Sequence, residues 1–298
     1  MNVEIRGIHF PNKGAELMLV AVMEKLRATF EDVSFVLDPR QAYSYRAPYG
    51  LLQKFRYTKF GVEWDRLGNF IPNSVRKNYG LVTEREIDVV LDASGFAYGD
   101  QWGAHKAEKR SASHIETWKK QGKKVILLPQ AFGPFSSKRL ADAMRTILEH
   151  ADLVYAREAQ SYNYLRALHP EAASLRQAPD FTNLVAGVPP RSAELDGLKT
   201  CVVVNSKMLE MTGAEGERYV PLMTDLTRHL ARCGLAPFLL VHEGEKDLRI
   251  AREVQQGVGN DHISNLRSQR QVMRVRQYCQ IAQLPRSPQR SRTDIHAD

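Results

Sequence analysis

Short apolar runs rich in β-branched residues alternate with amphipathic segments from Met1 to about Asp180, and this alternation limits the folds open to the chain. Val3–Ile8 predicts a strand, and Gly14–Phe30 predicts a helix because its apolar residues recur at helical spacing. Further strands are predicted over Val33–Leu37, Ile87–Leu91, Lys124–Leu128 and Leu153–Tyr155, and further helices over Lys106–Gln121, Ser137–His150 and Ala159–Leu168. The pattern predicts an α/β domain with a mostly parallel sheet that helices cover on both faces.

A second α/β segment follows a change in composition. Residues 187–199 combine Gly, Pro and polar residues, which is typical of a linker. After it, strands are predicted over Cys201–Asn205 and Pro237–Val241, and helices over Tyr219–Cys233 and Lys246–Gln255. We therefore expect an N-terminal α/β domain over 1–186 and a partial C-terminal α/β domain over 200–265. Residues 266–298 are rich in Arg, Gln, Ser and Pro without a sustained period, which predicts disorder.

The formal net charge of +8 is concentrated in two stretches. Residues 267–298 contain seven Arg and two Asp, and residues 39–80 contain eight Lys or Arg and two acidic residues. An anionic small molecule or a solvated basic surface accounts for the second stretch as well as nucleic acid does, and we predict no nucleic-acid partner. Aromatic residues lie between its cations and allow peripheral association with the inner membrane surface, with a mobile surface insert as the alternative. These aromatic residues are Tyr43, Tyr45, Tyr49, Phe55 and Tyr57.

Membrane and secretory signals are absent from the sequence. No apolar run approaches the roughly 18 residues that a membrane span needs, and the first residues lack the basic-then-apolar layout of a signal peptide. Cys201, Cys233 and Cys279 form neither a disulfide framework nor a zinc-ligand spacing. We therefore predict a cytoplasmic protein without a metal or a cofactor.

Loops that follow the strands of a parallel sheet are where α/β proteins bind ligands. In the first loop, Asn12 and Gly14 can shape an anion site at the start of a helix, and Lys13 can add a charge. An ordinary capped turn is the alternative. In the second loop, Asp92 and Asp100 flank small residues, and a carboxylate there can take a proton from a sugar hydroxyl. Capping of the turn is an equally good role for Asp92.

Three further loops contain candidate binding residues. Gln130 follows a buried strand in a rigid Pro-Gln-x-x-Gly-Pro-Phe segment and can both donate to and accept from a substrate, although a structural turn is as good an interpretation. Arg157 offers two parallel donors to a carboxylate or phosphate, with a surface pair to Glu158 as the alternative. His242 follows a strand of the second domain and is a candidate proton donor or ligand contact, with an ordinary histidine at a strand end as the alternative. Its surroundings lack the spacing of a zinc helix.

Five segments together resemble a known family. They are Asn12–Glu16, Asp88–Gly95, Leu128–Phe135, Ala156–Ser161 and Ala178–Asp180, among which Pro-Gln-x-x-Gly-Pro-Phe and Arg-Glu-x-x-Ser are the most specific motifs. Their order and spacing, from about residue 3 to 255, resemble the polysaccharide pyruvyl transferase family.

The resemblance implies two Rossmann-like lobes of the GT-B type, with the second lobe incomplete here. It implies transfer of a pyruvyl group from phosphoenolpyruvate to sugar hydroxyls, as a ketal, in exopolysaccharide or cell-surface glycan biosynthesis. Arg157 would hold the anionic donor, and Asp100 would be the hydroxyl base or a sugar ligand. The acceptor would be a saccharide or a lipid-linked saccharide.

The C-terminal region departs from the family, whose members carry a Ser-x-x-His-Gly type loop in a completed second lobe. A shifted reading frame is one interpretation, because reading residues 281–287 one base later permits Ser-Arg-Ser-Phe-His-Gly-Leu. Two alternatives to the implied function stay open at this stage. One is a GT-B-type glycosyltransferase that uses a nucleotide sugar, and the other is a truncated fragment without activity.

Overall fold

The computed structural model describes residues 1–10, 12–59, 62–185, 199–211, 213–241 and 244–259. Residues 187–198 of the predicted linker, the candidate residue His242 and the predicted tail 266–298 lie outside these ranges. The chain divides into two compact units, Met1–Ala186 (unit 1) and Gly187–Asp298 (unit 2).

Unit 1 is built on a parallel sheet. The strands in chain order are β1 (Asn2–Arg6), β2 (Ser34–Leu37), β3 (Leu52–Lys54), β4 (Thr58–Lys59), β5 (Val62–Glu63), β6 (Leu81–Val82), β7 (Val89–Asp92), β8 (Phe96–Tyr98), β9 (Lys124–Phe132), β10 (Leu153–Ala156) and β11 (Leu175–Gln177). The sheet has the order β11-β10-β9-β7-β1-β2-β3-β6, and β8 pairs alongside β9. Its pairs are parallel, whereas β4 and β5 form a separate antiparallel pair. The predicted parallel sheet is confirmed.

Strand β1 lies between β7 and β2, so both of its edges are hydrogen-bonded within the sheet. Successive side chains of a strand point to opposite faces. Val3 and Ile5 pack into an apolar core with residues of β2 and β7. Glu4 on the other face is also buried and forms an ion pair with the buried Lys54 of β3, with 2.8 Å between Oε2 and Nζ.

Helices connect most of these strands. They are α1 (Lys13–Thr29), α2 (Tyr43–Arg46), α3 (Asn73–Asn78), α4 (Gly103–Ala107), α5 (Ser113–Lys120), α6 (Lys138–His150) and α7 (Ala159–Leu168). Helix α6 shows why they form: the Ser137 side chain caps its first turn, and Leu140, Met144 and Ile147 recur at helical spacing on the buried face. The helix predicted over 159–168 has the bounds of α7.

The helix predicted over Lys106–Gln121 differs from the structure in one respect. A helical run from Gly103 to Lys120 consists of α4, a π-helical segment at Glu108–Ala112, and α5. A π-helical segment inserts an extra residue into the helix and is frequently found at functional sites. Residues 106–110 therefore lie at a helix irregularity that apolar periodicity does not reveal.

The basic stretch 39–80 contributes strand β3 to the sheet, so the interpretation as a surface insert does not hold for this part of the stretch. Strand β3 pairs in parallel with β2 and β6. Two of the aromatic residues expected to serve a surface, Tyr45 and Tyr49, stack on the buried Phe10 instead. The carboxylate of Asp38 forms ion pairs with Arg40 and Arg56, so part of the positive charge of the stretch is neutralised.

Unit 2 repeats the strand and helix alternation on a smaller scale. Its described elements are β12 (Thr200–Val204), α8 (Lys207–Met211), α9 (Tyr219–Arg232), β13 (Pro237–Val241) and α10 (Gly244–Val258). Strands β12 and β13 pair in parallel, as the sequence predicts. Val204, Leu239 and Val254 are among the buried residues that form the core of this unit.

Candidate active site

The carboxyl ends of β7, β9, β10 and β11 bring three of the candidate loops into a connected row in unit 1. Nε2 of Gln130 lies 3.5 Å from Oδ1 of Asp92. The backbone N–H of Arg157 donates to the backbone carbonyl of Gln130 (3.0 Å). Nη1 of Arg157 donates to Oδ2 of Asp180 (3.0 Å). The loops that follow four neighbouring strands therefore meet at one edge of the sheet, where parallel α/β sheets bind ligands.

Asp92 organises the interior of this edge. Its carboxylate is 2% exposed and accepts hydrogen bonds from the backbone N–H of Ser94 (2.9 Å), the Ser94 hydroxyl and the Tyr98 hydroxyl (2.7 Å). The Tyr98 hydroxyl also contacts the Ser111 hydroxyl at 2.8 Å. Burial and the Asp92 carboxylate raise the pKa of Tyr98 well above its ordinary value, so the phenol stays a hydrogen-bond donor. Asp92 thus fixes the loop from within and is shielded from a substrate.

Gln130 is fully buried and has one unsatisfied atom. Its Oε1 has no hydrogen-bond partner within the described part of the chain. An unpaired buried acceptor costs about 1–3 kcal/mol, and in native proteins such an atom usually binds a water or a ligand. Oε1 of Gln130 is therefore a buried acceptor whose missing partner would have to be a buried water or a group that reaches below the surface of this edge.

Asp100 joins two loops at the mouth of the same edge. It is partly exposed, and its carboxylate accepts from the backbone N–H of Ser136 (2.9 and 3.1 Å) and from the Ser136 hydroxyl (2.6 Å). The Asp100 N–H donates to the carbonyl of Pro134 (3.1 Å). Gly99 permits this close approach, because a Cβ there would lie 2.6 Å from the Gly133 carbonyl oxygen. Asp100 therefore holds the segment of Ser136 in place, in addition to the chemical role that the sequence predicts for it.

Arg157 is partly exposed and lies among carboxylates. Besides the contact to Asp180, its Nε lies 3.7 Å from Oε2 of Glu158. Burial by itself raises the pKa of Asp180, but hydrogen bonds from Thr182 and Arg157 outweigh it, and the pKa is lowered. The two carboxylates orient Arg157 and offset part of its charge. An anion that binds to this guanidinium has to compete with them.

Asn12 and Gly14 lie at the start of α1. Oδ1 of Asn12 accepts from the backbone N–H of Ala15 (2.9 Å), which makes Asn12 the N-cap of the helix. Lys13 forms an ion pair with Glu16 (2.8 Å). Within the described residues, no hydrogen bond joins Asn12 to Asp92, Gln130 or Arg157. His242 lies outside the described residues. No group of three or more histidine, cysteine or acidic residues in the described ranges forms a metal site.

A basic pocket that the sequence analysis missed opens beside the Asp92 loop. It is a cavity of about 500 Å³ lined by the segment from Glu4 to His9, by the loop after β2 and by α4 with the π-helical segment. Six cationic side chains line it against the two carboxylates of Glu4 and Asp38; the cations belong to Arg6, Arg40, Arg56, Lys106, Lys109 and Arg110. We call this cavity the basic pocket. The spacing of Lys106, Lys109 and Arg110 at i, i+3 and i+4 is the sequence signal that identifies part of it.

The comparisons with known proteins agree with this architecture. A family model described as polysaccharide pyruvyl transferase matches residues 12–267. One similar solved structure is S. aureus MnaA with UDP, which has 12% sequence identity and a TM-score of 0.50 over 91% of this chain and 69% of that chain. Anabaena Alr3699/HepE with UDP and glucose has 12% identity and a TM-score of 0.47 over 89% of this chain and 68% of that chain. E. coli heptosyltransferase WaaC with ADP has 13% identity and a TM-score of 0.40 over 92% of this chain and 78% of that chain. No curated protein matches the sequence. The likeness to MnaA concerns the fold, and it confirms the predicted Rossmann-like α/β architecture of the GT-B type.

Proposed function

This chain belongs to the polysaccharide pyruvyl transferase family, and we propose that it transfers a pyruvyl group from phosphoenolpyruvate to two hydroxyls of a saccharide. One observation carries the proposal. The loops at 88–95, 128–135, 156–161 and 178–180, whose motifs resemble the family, are linked by hydrogen bonds through Asp92, Gln130, Arg157 and Asp180 at one sheet edge. Motifs that lie far apart in the sequence thus form one site.

The reaction adds two hydroxyl groups to C2 of the donor. A general acid protonates the methylene carbon C3, positive charge develops at C2, and the first sugar hydroxyl attacks C2 as it loses its proton. The bond between C2 and the phosphate oxygen then breaks, phosphate leaves with one proton, and the second hydroxyl closes the ketal as it loses its own. Such a sequence needs a base near the hydroxyls and cations near the donor anions.

Asp100 is the proposed base or sugar ligand. Its carboxylate is partly exposed, and Ser136 holds both oxygens in a fixed orientation at the mouth of the site. Gln130 remains a proposed substrate contact from the sequence, and its buried Oε1 could be reached only by a group that enters below the surface of the edge. The buried Asp92 acts as a positioning residue, because it holds the loop that leads to Asp100.

Arg157 is the proposed contact to the anionic donor. A guanidinium presents two parallel donors, which match a carboxylate or a phosphate. The contact to Asp180 fixes the guanidinium in advance of binding. Asn12 and Gly14 at the start of α1, and His242 in unit 2, remain proposed substrate contacts from the sequence.

The acceptor is proposed to be a saccharide, free or lipid-linked, in exopolysaccharide or cell-surface glycan synthesis in the cytoplasm. An exposed apolar stripe supports peripheral binding to the inner membrane surface. Leu67 and Phe70 lie three residues apart on the 3₁₀-helix Asp65–Phe70, which puts them on one side, Trp64 is the N-cap of this helix, and all three are exposed, Phe70 to 83%. No helix among the described residues is long and apolar enough to cross a bilayer. Flotation of the full chain with anionic vesicles tests the binding, and a Phe70→Ser variant should float less.

Phosphate release tests the proposed function. The full chain is incubated with phosphoenolpyruvate and a candidate saccharide, and we expect phosphate release that depends on the saccharide and stops in Asp100→Asn. The product should gain the mass of one pyruvate less one water. Turnover with a nucleotide sugar instead of phosphoenolpyruvate would support a GT-B-type glycosyltransferase, and no turnover with either donor would support a fragment without activity.

A further inference from the structure

Positive charge exceeds negative charge in the basic pocket, and the excess lies on one side. Glu4 forms an ion pair with Arg6 (2.8 Å), and Asp38 pairs with both Arg40 and Arg56. The remaining cations, Lys106, Lys109 and Arg110, have no carboxylate within 4.0 Å in the described part of the chain. The buried Asp92 carboxylate offsets part of this charge at Lys106, but the three neighbouring cations still repel one another, and an anion in the cavity would relieve that repulsion.

The surroundings of Lys106 show the effect of this crowding. Burial and the neighbouring charge of Arg110 lower the pKa of Lys106. Its Nζ lies 3.2 Å from the centre of the Trp102 ring, whose electron-rich face stabilises a cation. Arg6 is held in the same way, with its guanidinium carbon 5.0 Å from the centre of the Trp118 ring. Aromatic rings therefore hold two of the cations of the pocket in place.

Two dimensions of the pocket indicate the size of the anion. The three cations without carboxylate partners lie within a five-residue helical stretch, 106–110, whose four steps give a rise of about 6 Å, which is wider than one phosphate and suits two linked phosphates. The cavity of about 500 Å³ lies in the range that holds a drug-sized ligand and is far larger than a three-carbon phosphate such as phosphoenolpyruvate.

We propose that the basic pocket binds the diphosphate group of a sugar diphosphate ester and so anchors the saccharide acceptor, an inference that rests on the proposed transfer function. The pocket lies next to the loop after β7, because Nη1 of Arg110 donates to the Ser94 hydroxyl, which donates to Asp92. A diphosphate held by Lys106, Lys109 and Arg110 would place the attached sugar beside the loops of the proposed site. The ester partner of the diphosphate is either a nucleoside or a polyprenyl chain.

Calorimetric titration of the full chain tests the anchor without turnover. The probes are inorganic pyrophosphate, orthophosphate, phosphoenolpyruvate, UDP and farnesyl diphosphate. We expect saturable binding of pyrophosphate that weakens roughly tenfold in Lys109→Gln and further in the Lys106→Gln/Lys109→Gln double variant. Lys120→Gln is the matched control, because Lys120 lies on α5 outside the lining of the pocket. Tighter binding of UDP than of farnesyl diphosphate would identify a nucleotide ester, and the reverse would identify a polyprenyl ester.

Three outcomes would overturn the inference. One is equal pyrophosphate affinity in the double variant and in Lys120→Gln. Another is displacement of pyrophosphate by phosphoenolpyruvate, which would make the pocket the donor site. A third is binding of both esters no tighter than orthophosphate. In each case, pyruvyl transfer to a saccharide without a diphosphate would leave the proposed function standing. Tight pyrophosphate binding with no transfer from phosphoenolpyruvate would overturn the function and leave the pocket as a diphosphate site.

Discussion

Nη1 of Arg110 donates a hydrogen bond to the hydroxyl of Ser94, which in turn donates to the buried carboxylate of Asp92. One serine hydroxyl thus couples a cation that lines the basic pocket to the interior of the loop after β7. Gly7 lies against the same serine, because a Cβ at Gly7 would come within 2.6 Å of Ser94 backbone atoms. Changes to the Arg110 and Ser94 side chains should therefore act on binding before they act on the fold.

Ser94→Ala should release Arg110 without unfolding unit 1. Asp92 keeps its contacts to Tyr98 and to the backbone N–H of residue 94, so the loss in free energy of unfolding should be about 1 kcal/mol. The KM for a sugar diphosphate acceptor should rise roughly tenfold, because Arg110 loses its fixed orientation. Steady-state kinetics and thermal unfolding measure the two effects, with the exposed Ser113→Ala as control. An unchanged KM would contradict the coupling.

Asp100→Asn separates a catalytic role from a structural one. If Asp100 is the base, the rate of pyruvyl transfer should fall roughly 100-fold or more in Asp100→Asn, because an amide cannot accept the hydroxyl proton. Ser136→Ala removes the hydroxyl partner but keeps the carboxylate, and it should retain transfer within about threefold. Phosphate release by both variants is the measurement. An equal loss of transfer activity in both variants would show that Asp100 only holds its loop to the loop of Ser136.

Arg157→Ala should weaken phosphoenolpyruvate binding roughly ten- to hundredfold, because a charge-assisted contact to an anion is lost. Arg157→Lys should restore part of the affinity, since an ammonium group cannot reproduce two parallel donors. Asp180→Asn should tighten binding, because it removes the carboxylate that competes for Nη1 of Arg157. Calorimetry measures all three, with Arg145→Ala as control, because the partly exposed Arg145 lies on α6 and makes no hydrogen bond with Arg157 or Asp180 among the residues that the structure describes. If Arg157→Ala binds as the parent does, the donor contacts lie elsewhere.

Gly7→Ala should destabilise unit 1. Gly7 has φ of +93°, a conformation that other residues rarely adopt, and a Cβ there would overlap the Ser94 backbone. Gly122→Ala is the matched control, because Gly122 also has positive φ (+76°) but open space around a Cβ. Urea unfolding should show that the free energy of unfolding falls by about 1 kcal/mol in the control, because of backbone strain alone, and by clearly more in Gly7→Ala. Equal losses of unfolding free energy in the two variants would show that the backbone at Ser94 shifts to make room for the added methyl group.

Glu4 should contribute to acid sensitivity. Burial by itself raises the pKa of Glu4, but Arg6 and Lys54 outweigh it and lower the pKa from 4.5 to about 2. A pKa lowered by folding adds stability that is present above 4.5 and is lost as the pH falls towards 2. Glu4→Gln should therefore be less stable at pH 7, and its free energy of unfolding should fall less between pH 5 and pH 2. Unfolding at several pH values measures this, and the exposed Glu31→Gln should follow the parent.

The sequence alone was sufficient for elements whose signals are local. Ala159–Leu168 and Pro237–Val241 have the predicted bounds, because apolar periodicity and flanking breakers depend on neighbouring residues. The α/β class with parallel sheets follows from the order of such elements. The sequence also predicted correctly that Arg157 directly follows a strand, whereas Gln130, expected in the loop after the strand 124–128, lies within β9, which continues to Phe132.

Tertiary structure decided how distant residues meet. Lys54 appears in the sequence as one cation of a basic stretch, yet it is 1% exposed, because β3 pairs beside β2 and its ammonium reaches Glu4 on β1. The basic pocket likewise combines Arg6 from β1 with Lys109 and Arg110 from the π-helical segment. Local periodicity records which face of an element is apolar, but not which strand becomes its neighbour. The order of strands in the sheet sets those pairings, and with them the charges that lie together.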